Sequence, residues 1–135
     1  ENVLFKDPIS KELIPEILAK SNSILISLGD VKLFQYGISP NKLYDAYALA
    51  RPVVSTLKGS INNEIHKYQV GIGCEPGSPK LLSNAIIKMY KKSYKEREIM
   101  GLNGRKLAET IYSRNIINNK YFDLINFFLD NNGES

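Results

Sequence analysis

Apolar residues in this chain come in short runs that are bounded by polar residues, prolines and glycines. A run of this length predicts a strand, because consecutive apolar side chains suit a strand that is buried on both faces of a parallel sheet. The pattern predicts four strands, at residues 3–5, 23–28, 52–57 and 70–74. The third run begins with Pro52, which is acceptable as the first residue of a strand.

Apolar residues spaced three and four apart predict helices between and after these strands. Ser10 and Ser78 are suited to cap two of them, and Ser113 a third, because a serine hydroxyl accepts a hydrogen bond from a free N–H of the first turn. The predicted helices cover residues 10–20, 40–50, 62–68, 79–92, 95–111 and 113–129. The fifth is expected to be interrupted or frayed near Gly101 and Gly104, and residues 131–135 are expected to form a frayed tail.

Strands that alternate with helices are typical of a parallel sheet wrapped by helices. The prediction is therefore an α/β fold with a Rossmann-like parallel sheet flanked by helices. No linker divides the 135 residues, so residues 1–135 are expected to form a single domain.

Composition and charge narrow the functional classes. The chain is 43% hydrophobic and 24% charged, as in ordinary globular proteins, and no apolar run is long enough to span a bilayer. With one cysteine, Cys74, and one histidine, His66, the sequence favours neither a disulfide nor a cysteine or histidine metal site. A cytoplasmic location is expected, since no signal-peptide pattern is visible.

The formal net charge of +4 is mild, and many basic residues fall between positions 88 and 106. A solvated helix surface is the expected reason, with an anionic membrane or acidic ligands as the alternative. Nucleic acid is not expected as a partner, because no binding module is visible.

A polar cluster surrounds the start of the predicted helix at residues 40–50. Ser39 is predicted to be its N-cap and Pro40 its first helical residue. Asn41, Lys42 and Asp45 then lie near the helix end where free N–H groups and the helix dipole favour negative charge. This is also the end of an α/β unit where ligands usually bind, so the cluster is a candidate anion site.

This run resembles the nucleotide-sugar-binding segment of retaining glycosyltransferases of family 4, which have the two-domain GT-B fold. Many of them carry a Ser/Thr-Pro-x-Lys-Leu-x-Glu/Asp-Tyr-x-Ala-x-Gly-x-Pro-Val pattern. The matching positions here are Ser39, Pro40, Lys42, Leu43, Asp45, Ala48, Pro52 and Val53. Weaker matches to the family at residues 3–15, 71–81 and 100–105 follow in the family's order. Ala50 stands where the pattern has glycine, and Gly37 stands where a broader form of the pattern has a glutamate.

The resemblance covers only the later part of the donor domain of such an enzyme. It implies a partial GT-B C-terminal domain, without the acceptor domain and without the donor-domain opening that carries an Arg/Lys pair for the diphosphate. The intact enzyme is expected to transfer a sugar from a nucleoside diphosphate, with UDP the expected one, to a glycan or lipid-linked acceptor in cell-envelope polysaccharide biosynthesis. No metal or cofactor is expected, and the isolated chain is expected to be inactive.

The expected partners are the nucleotide-sugar donor and the missing acceptor domain, with peripheral contact at the inner face of the membrane as an alternative for the intact enzyme. Because the first strands of the sheet would be missing, the strand at residues 23–28 is expected to expose an edge, and self-association follows as an alternative. A non-catalytic nucleotide-binding or scaffold module that pairs with another chain is the rival function. A sugar-nucleotide epimerase is a weaker rival, because its catalytic carboxylates and histidine find no place here.

The resemblance also implies roles for individual residues. Asp45 is expected to hold the ribose hydroxyls, and Lys42, the expected catalytic residue, to stabilise the diphosphate leaving group. Gly37, Ile38 and Ser39 are expected to offer backbone N–H groups to the donor. The alternatives are structural: Asp45 as a first-turn acid stabilised by the helix dipole, and Lys42 as a surface lysine that pairs with Asp45. Gly37 is alternatively an ordinary loop glycine, and Ser39 a cap only. Asn41 either contacts the donor or caps the turn.

For other polar side chains, too, the sequence leaves a ligand-binding role and a structural or solvent-exposed position as alternatives. Glu64 and His66 either line the donor cleft or face solvent. Tyr36 and Tyr44 either stack on the base or pack in the core, whereas Tyr47, one turn after Leu43, is expected in the core. Asp30 is a loop acid without an evident partner.

Overall fold

A small parallel sheet and six α-helices make up the described part of the chain. The computed structural model describes residues 2–32, 34 and 38–132. A 3₁₀ turn at Lys11–Leu13 leads into the first helix. The helices and strands are α1 (Ile14–Ala19), β1 (Ile24–Ile26), α2 (Asn41–Ala48), β2 (Val53–Ser55), α3 (Ser60–Lys67), β3 (Gly71–Gly73), α4 (Pro79–Lys91), α5 (Tyr94–Thr110) and α6 (Arg114–Asn132).

The sheet confirms the predicted α/β class. Its strand order is β1-β2-β3 and both pairings are parallel, with Leu25 opposite Val54 and Val54 opposite Ile72. Helices follow each strand, as in a Rossmann-like fold. Since α2 and α3 each run back to the start of the next parallel strand, both helices begin at the carboxyl edge of the sheet.

The predicted strand at residues 3–5 is wrong. These residues are in no strand or helix, and Phe5 is 97% exposed. An apolar tripeptide has no intrinsic reason to extend into a strand without a neighbour to pair with. β1 is consequently an edge strand, as the sequence predicted for residues 23–28. Burial on both of its faces was predicted wrongly, because Ile24 and Ile26 are buried while Leu25 is 48% exposed.

The main core lies on the face of the sheet that α2 covers. It is formed by Ile24, Ile26, Leu43, Ala46, Tyr47, Val53, Leu57, Ile61, Ile65, Val70 and Leu107. A smaller cluster of Val54, Ala85 and Met89 lies on the opposite face, beneath α4. The helix that carries the predicted site contributes Leu43, Ala46 and Tyr47 to this core.

Helix α5 packs against α2 through two buried glycines. The predicted interruption of this helix at Gly101 and Gly104 is wrong, because α5 continues through both residues. A Cβ atom on Gly101 would lie 2.0 Å from the carbonyl oxygen of Ala50, and one on Gly104 would lie 2.9 Å from Cδ1 of Tyr47. The glycines thus mark a close approach of two helices and not a break in one of them.

The turn after α2 has a left-handed backbone at Ala50, the position where the family pattern has glycine. Ala50 has a φ of +51°. The N–H of Ala50 donates to the carbonyl of Tyr47 at 3.0 Å, and the N–H of Arg51 donates to the carbonyl of Ala46 at 2.9 Å. These two hydrogen bonds form a Schellman motif. The left-handed backbone is therefore kept although an alanine occupies the position. This turn presents the Ala50 carbonyl to Gly101.

Serine side chains cap the starts of α4 and α5. Ser78 caps α4 as predicted, with its Oγ 3.3 Å from the N–H of Leu81. α5 starts with a capping box, in which Ser93 Oγ accepts from the N–H of Glu96 and the Glu96 carboxylate accepts from the N–H of Ser93. The hydrogen bond from the Ser93 backbone is the main cause that lowers the pKa of Glu96 to about 2.

Candidate functional site

The start of α2 lies at the carboxyl edge of the sheet, beside the segments that leave β1 and β2. Ile38, just before the helix, is half-buried and packs on the main core. It lines a cavity of about 10 Å³ together with Leu28, Gly29, Asp30, Val31, Phe34, Thr56, Leu57, Lys58 and Pro76. That volume holds about one water molecule. A ligand at this edge would consequently lie over the surface of the helix start.

Four of the predicted site residues are exposed on and just before α2. Ser39, Asn41, Lys42 and Asp45 all have exposed side chains. Asn41 and Asp45 are four residues apart and Lys42 and Asp45 three apart, so they share one region of the helix surface. No ion pair between Lys42 and Asp45 occurs among those of the described residues. Gly37 and Tyr36 lie outside the described residues.

The prediction that Ser39 caps α2 is wrong. The helix begins at Asn41 and its N-cap is Pro40, with no side-chain capping bond, so Pro40 is also one position earlier than predicted. The hydroxyl of Ser39 instead lies 3.1 Å from the hydroxyl of Tyr44. No side chain caps this end, but the N–H of Leu43 donates to the carbonyl of Pro40 at 2.9 Å. Of the first turn, the N–H groups of Asn41 and Lys42 are the ones that have no partner among the described backbone bonds and suit an anion.

A lysine at the same edge was missed by the sequence reasoning. Nζ of Lys58 lies 2.9 Å and 3.0 Å from the two carboxylate oxygens of Asp30, which gives that acid a partner the sequence did not suggest. Asp30 and Lys58 come after β1 and β2, and the carboxyl ends of adjacent parallel strands meet at one edge. That position relative to the two strands is the signal that would have found the pair.

A cluster of three tyrosines around Glu64 ties α2 to α3 and to the end of α5. Tyr47 is fully buried and donates its hydroxyl to Oε1 of Glu64 at 3.1 Å. Tyr112 donates to Oε2 of the same carboxylate, and its ring centroid lies 4.8 Å from that of Tyr44. We call Tyr44, Tyr47, Tyr112 and Glu64 the tyrosine cluster. The core role predicted for Tyr47 is confirmed, and Glu64 is a structural acceptor at this position.

Burial and the Glu64 carboxylate both act on the hydroxyls of this cluster. Desolvation is the largest cause that raises the pKa of Tyr47 above its ordinary value of 10.0, followed by the negative charge of Glu64. The same two influences raise the pKa of Tyr112. Since the folded state favours the neutral phenol, the associated stability is complete below about pH 10 and is lost as the pH rises above it.

An alkaline titration tests whether the hydroxyl of Tyr47 is buried and stays protonated in the folded protein. The chain has 8 tyrosines, and Tyr47 is expected to stay protonated until the protein unfolds. Replacing Tyr47 by phenylalanine should therefore leave the tyrosinate absorbance of the native protein unchanged up to about pH 11. In denaturant the same variant should lose one tyrosine's share of the signal. A matching loss in the native titration would show that the Tyr47 hydroxyl is open to solvent.

The other candidate groups lie elsewhere. His66 is exposed and lines a separate cavity of about 440 Å³ with Gln69, Lys92, Glu96 and Asn103 among others. Burial is the main cause that raises the pKa of the Cys74 thiol. Within the described residues, no group of three His, Cys, Asp or Glu side chains is placed to hold a metal ion. Nor does any helix of that part of the chain combine the length and apolar character needed to cross a bilayer.

Comparison of the chain with protein-family models, curated proteins and solved structures finds no match.

Proposed function

We propose that this chain is the later part of the nucleotide-sugar-binding domain of a retaining GT-B glycosyltransferase of family 4. One observation carries the proposal: Asn41, Lys42 and Asp45 are exposed together on the first turns of α2, at the carboxyl edge of a parallel sheet. A helix start at this edge, with free N–H groups, a lysine and a carboxylate, suits a ligand that combines a diphosphate with a sugar diol.

The chemistry assigns each group a task. The carboxylate of Asp45 accepts hydrogen bonds from the vicinal hydroxyls of the ribose. Lys42 and the first-turn N–H groups, with Ile38 and Ser39 leading into them, neutralise the diphosphate. As the sugar leaves, negative charge grows on that diphosphate, and a fixed lysine lowers the barrier most at this stage. Positioning of the donor supplies the rest of the rate enhancement.

The intact enzyme, in this proposal, transfers the sugar to a glycan or lipid-linked acceptor in polysaccharide biosynthesis. The donor is a nucleoside diphosphate sugar, with UDP as the nucleotide, and the reaction needs no metal or other cofactor. The acceptor domain supplies the other wall of the cleft. The enzyme works in the cytoplasm or at the inner face of the membrane.

Calorimetric titration of the full chain with UDP tests the donor site. We expect binding that weakens by at least about tenfold in Asp45→Ala, because the ribose hydroxyls lose a charged acceptor worth roughly 1.5–3 kcal/mol. Lys42→Ala should weaken UDP binding and have little effect on binding of uridine, which carries no phosphate. Asp123→Ala removes the same type of charge on α6 and serves as the control.

Two results would count against the proposal. Equal losses in Asp45→Ala and Asp123→Ala would mean that only the net charge matters. No heat of binding with UDP, UDP-sugars or GDP-sugars, from a protein shown to be folded by circular dichroism, would favour the second candidate. That candidate is a non-catalytic module that pairs with another chain, and the exposed edge and face of β1 around Leu25 favour it.

A further inference from the structure

A cavity of about 150 Å³ lies at the amino edge of the sheet, where the strands begin. Its lining consists of Asn22, Ala50, Arg51, Pro52, Tyr94, Arg97, Glu98 and Leu102. Residue 22 and residues 50–52 come just before β1 and β2, and the other four lining residues belong to α5. Since adjacent parallel strands begin at the same edge, these segments meet there. The fold thus brings two arginines from different segments to one small cavity.

Arg51 is a charged side chain that the described structure leaves without a partner. The residue is half-buried, and its Nε is buried with no hydrogen bond. Within the described part of the chain, the guanidinium group of Arg51 has neither a side-chain hydrogen bond nor an ion pair. Burying such a group unpaired is costly, and buried charges in folded proteins are usually paired. This side chain therefore indicates an acceptor that does not come from the described residues.

Arg97 is fixed beside the same cavity by the end of α4. Its Nη1 donates to the carbonyl of Lys92 at 2.5 Å and to the carbonyl of Tyr90 at 3.3 Å. No hydrogen bond of its Nε or Nη2 occurs among those of the described residues. A guanidinium group has five N–H donors in a rigid fork, so one that is held through a single nitrogen keeps donors for a ligand.

The charges around the cavity favour an anion over water. Glu98 is the one acid among the eight lining residues, and it is exposed. It forms no ion pair with Arg51 or Arg97 among the described contacts. Water would accept hydrogen bonds from the two guanidinium groups but would leave both positive charges uncompensated. An oxyanion accepts the same hydrogen bonds and also balances the charge, and such bonds are roughly twice as strong as neutral ones.

We propose that this cavity binds a phosphate group, either as the free ion or as a small phosphate monoester. A volume of about 150 Å³ holds several water molecules, and so it has room for a tetrahedral oxyanion. A phosphate monoester carries about 1.5 to 2 negative charges at neutral pH, which matches two arginines better than the single charge of a carboxylate does. Arg51 and Arg97 bind the phosphate oxygens, and the amide of Asn22 and the hydroxyl of Tyr94 offer further donors.

This phosphate site is separate from the proposed donor site. The donor and the acceptor domain belong to the carboxyl edge of the sheet, whereas the cavity lies at the amino edge. Arg51 precedes β2, the middle strand, so strands added beyond β1 would extend the sheet on the side away from it. The inference therefore needs only the described chain and does not depend on the proposed function.

Calorimetric titration of the full chain with inorganic phosphate and with glycerol 3-phosphate tests the site. The wild type is expected to bind at least one of the two, and Arg51→Gln should weaken the binding at least about tenfold, because a charge-assisted contact is lost. Glu98→Gln should strengthen the binding by about threefold, since it removes a negative charge beside the ion. Arg114→Gln is the matched control, because Arg114 is exposed on α6 and does not line the cavity.

A second measurement covers the case in which Arg51→Gln is poorly folded by circular dichroism. Phosphate should raise the midpoint of thermal unfolding of the wild type more than that of Arg51→Lys, which keeps the charge but loses the guanidinium fork. An equal rise in the two proteins would contradict the assignment of Arg51.

The pattern of binding separates the remaining outcomes. Binding of inorganic phosphate, or of the ester alone, that is lost in Arg51→Gln supports the site and identifies the form of the ligand. Binding of neither compound overturns the proposal, and so do equal losses in Arg51→Gln and Arg114→Gln, which would mean that only net charge matters. Binding that is lost in Lys42→Ala and kept in Arg51→Gln would place the ion at the start of α2, and it would overturn this inference while supporting the donor site.

Discussion

Replacing Gly101 by alanine is expected to lower the free energy of unfolding by about 2–3 kcal/mol. The new Cβ atom would lie 2.0 Å from the carbonyl oxygen of Ala50 and 2.6 Å from its carbonyl carbon. These are backbone atoms of a turn held by its own hydrogen bonds, so they cannot rotate away as a side chain can. α5 would have to move off α2, and the core between the two helices would loosen with it.

The measurement is urea unfolding, at one fixed protein concentration, of the wild type and two variants. Gly29→Ala is the control, because a Cβ atom there meets no atom within 4 Å. It should change stability by less than about 0.5 kcal/mol. Alanine has a higher helix propensity than glycine by about 1 kcal/mol. If there were space for the Cβ atom at residue 101, Gly101→Ala would therefore stabilise the protein. That result would mean that α5 does not approach the turn after α2.

Replacing Glu64 by leucine is expected to cost about 3 kcal/mol of stability. The carboxylate is the acceptor for two hydroxyls, those of Tyr47 and Tyr112. Tyr47 is 0% exposed, so its hydroxyl has no access to water as a substitute. The cost of an unpaired buried donor then adds to the loss of the two hydrogen bonds.

Two further variants separate this explanation from loss of packing. Glu64→Gln keeps an acceptor oxygen at the same place and should lose much less stability than Glu64→Leu. In the double variant Glu64→Leu with Tyr47→Phe, the second change should cost little, because no buried hydroxyl is left unpaired. Strictly additive losses in that cycle, measured by urea unfolding, would show that Tyr47 and Glu64 do not interact.

Much of the fold was predictable from local pattern. The three strands of the sheet lie inside the apolar runs predicted for them, and α4 begins with the predicted Ser78 cap. Such features depend on neighbours in sequence. The prediction of a strand at residues 3–5 was wrong because a strand needs a second strand to pair with. The pattern within three residues does not indicate whether such a strand lies nearby. The predicted interruption of α5 at Gly101 was wrong for a different reason. A glycine that allows a neighbouring helix to approach closely looks the same in sequence as a glycine that ends its own helix.

The candidate site also has a part that the sequence predicts and a part that it does not. Its position on α2, with Asn41, Lys42 and Asp45 on one region of the helix, follows from residue spacing alone. The acceptor role of Glu64 joins residues 17 and 48 positions apart, and the Asp30–Lys58 pair joins residues 28 positions apart. These partners come from different helices and loops, so the pattern of neighbouring residues cannot predict their contacts.

The sequence by itself determined where the three strands of the sheet and the helices between them lie and which residues gather at the start of α2, because periodicity and residue type act over a few neighbouring positions. Only the tertiary structure decided that residues 3–5 form no strand, that Glu64 binds two tyrosines and that α6 has its apolar side exposed. Each of those outcomes depends on which distant segments occupy the space around a side chain. That arrangement minimises the free energy of the whole chain and is not encoded in any one of its segments.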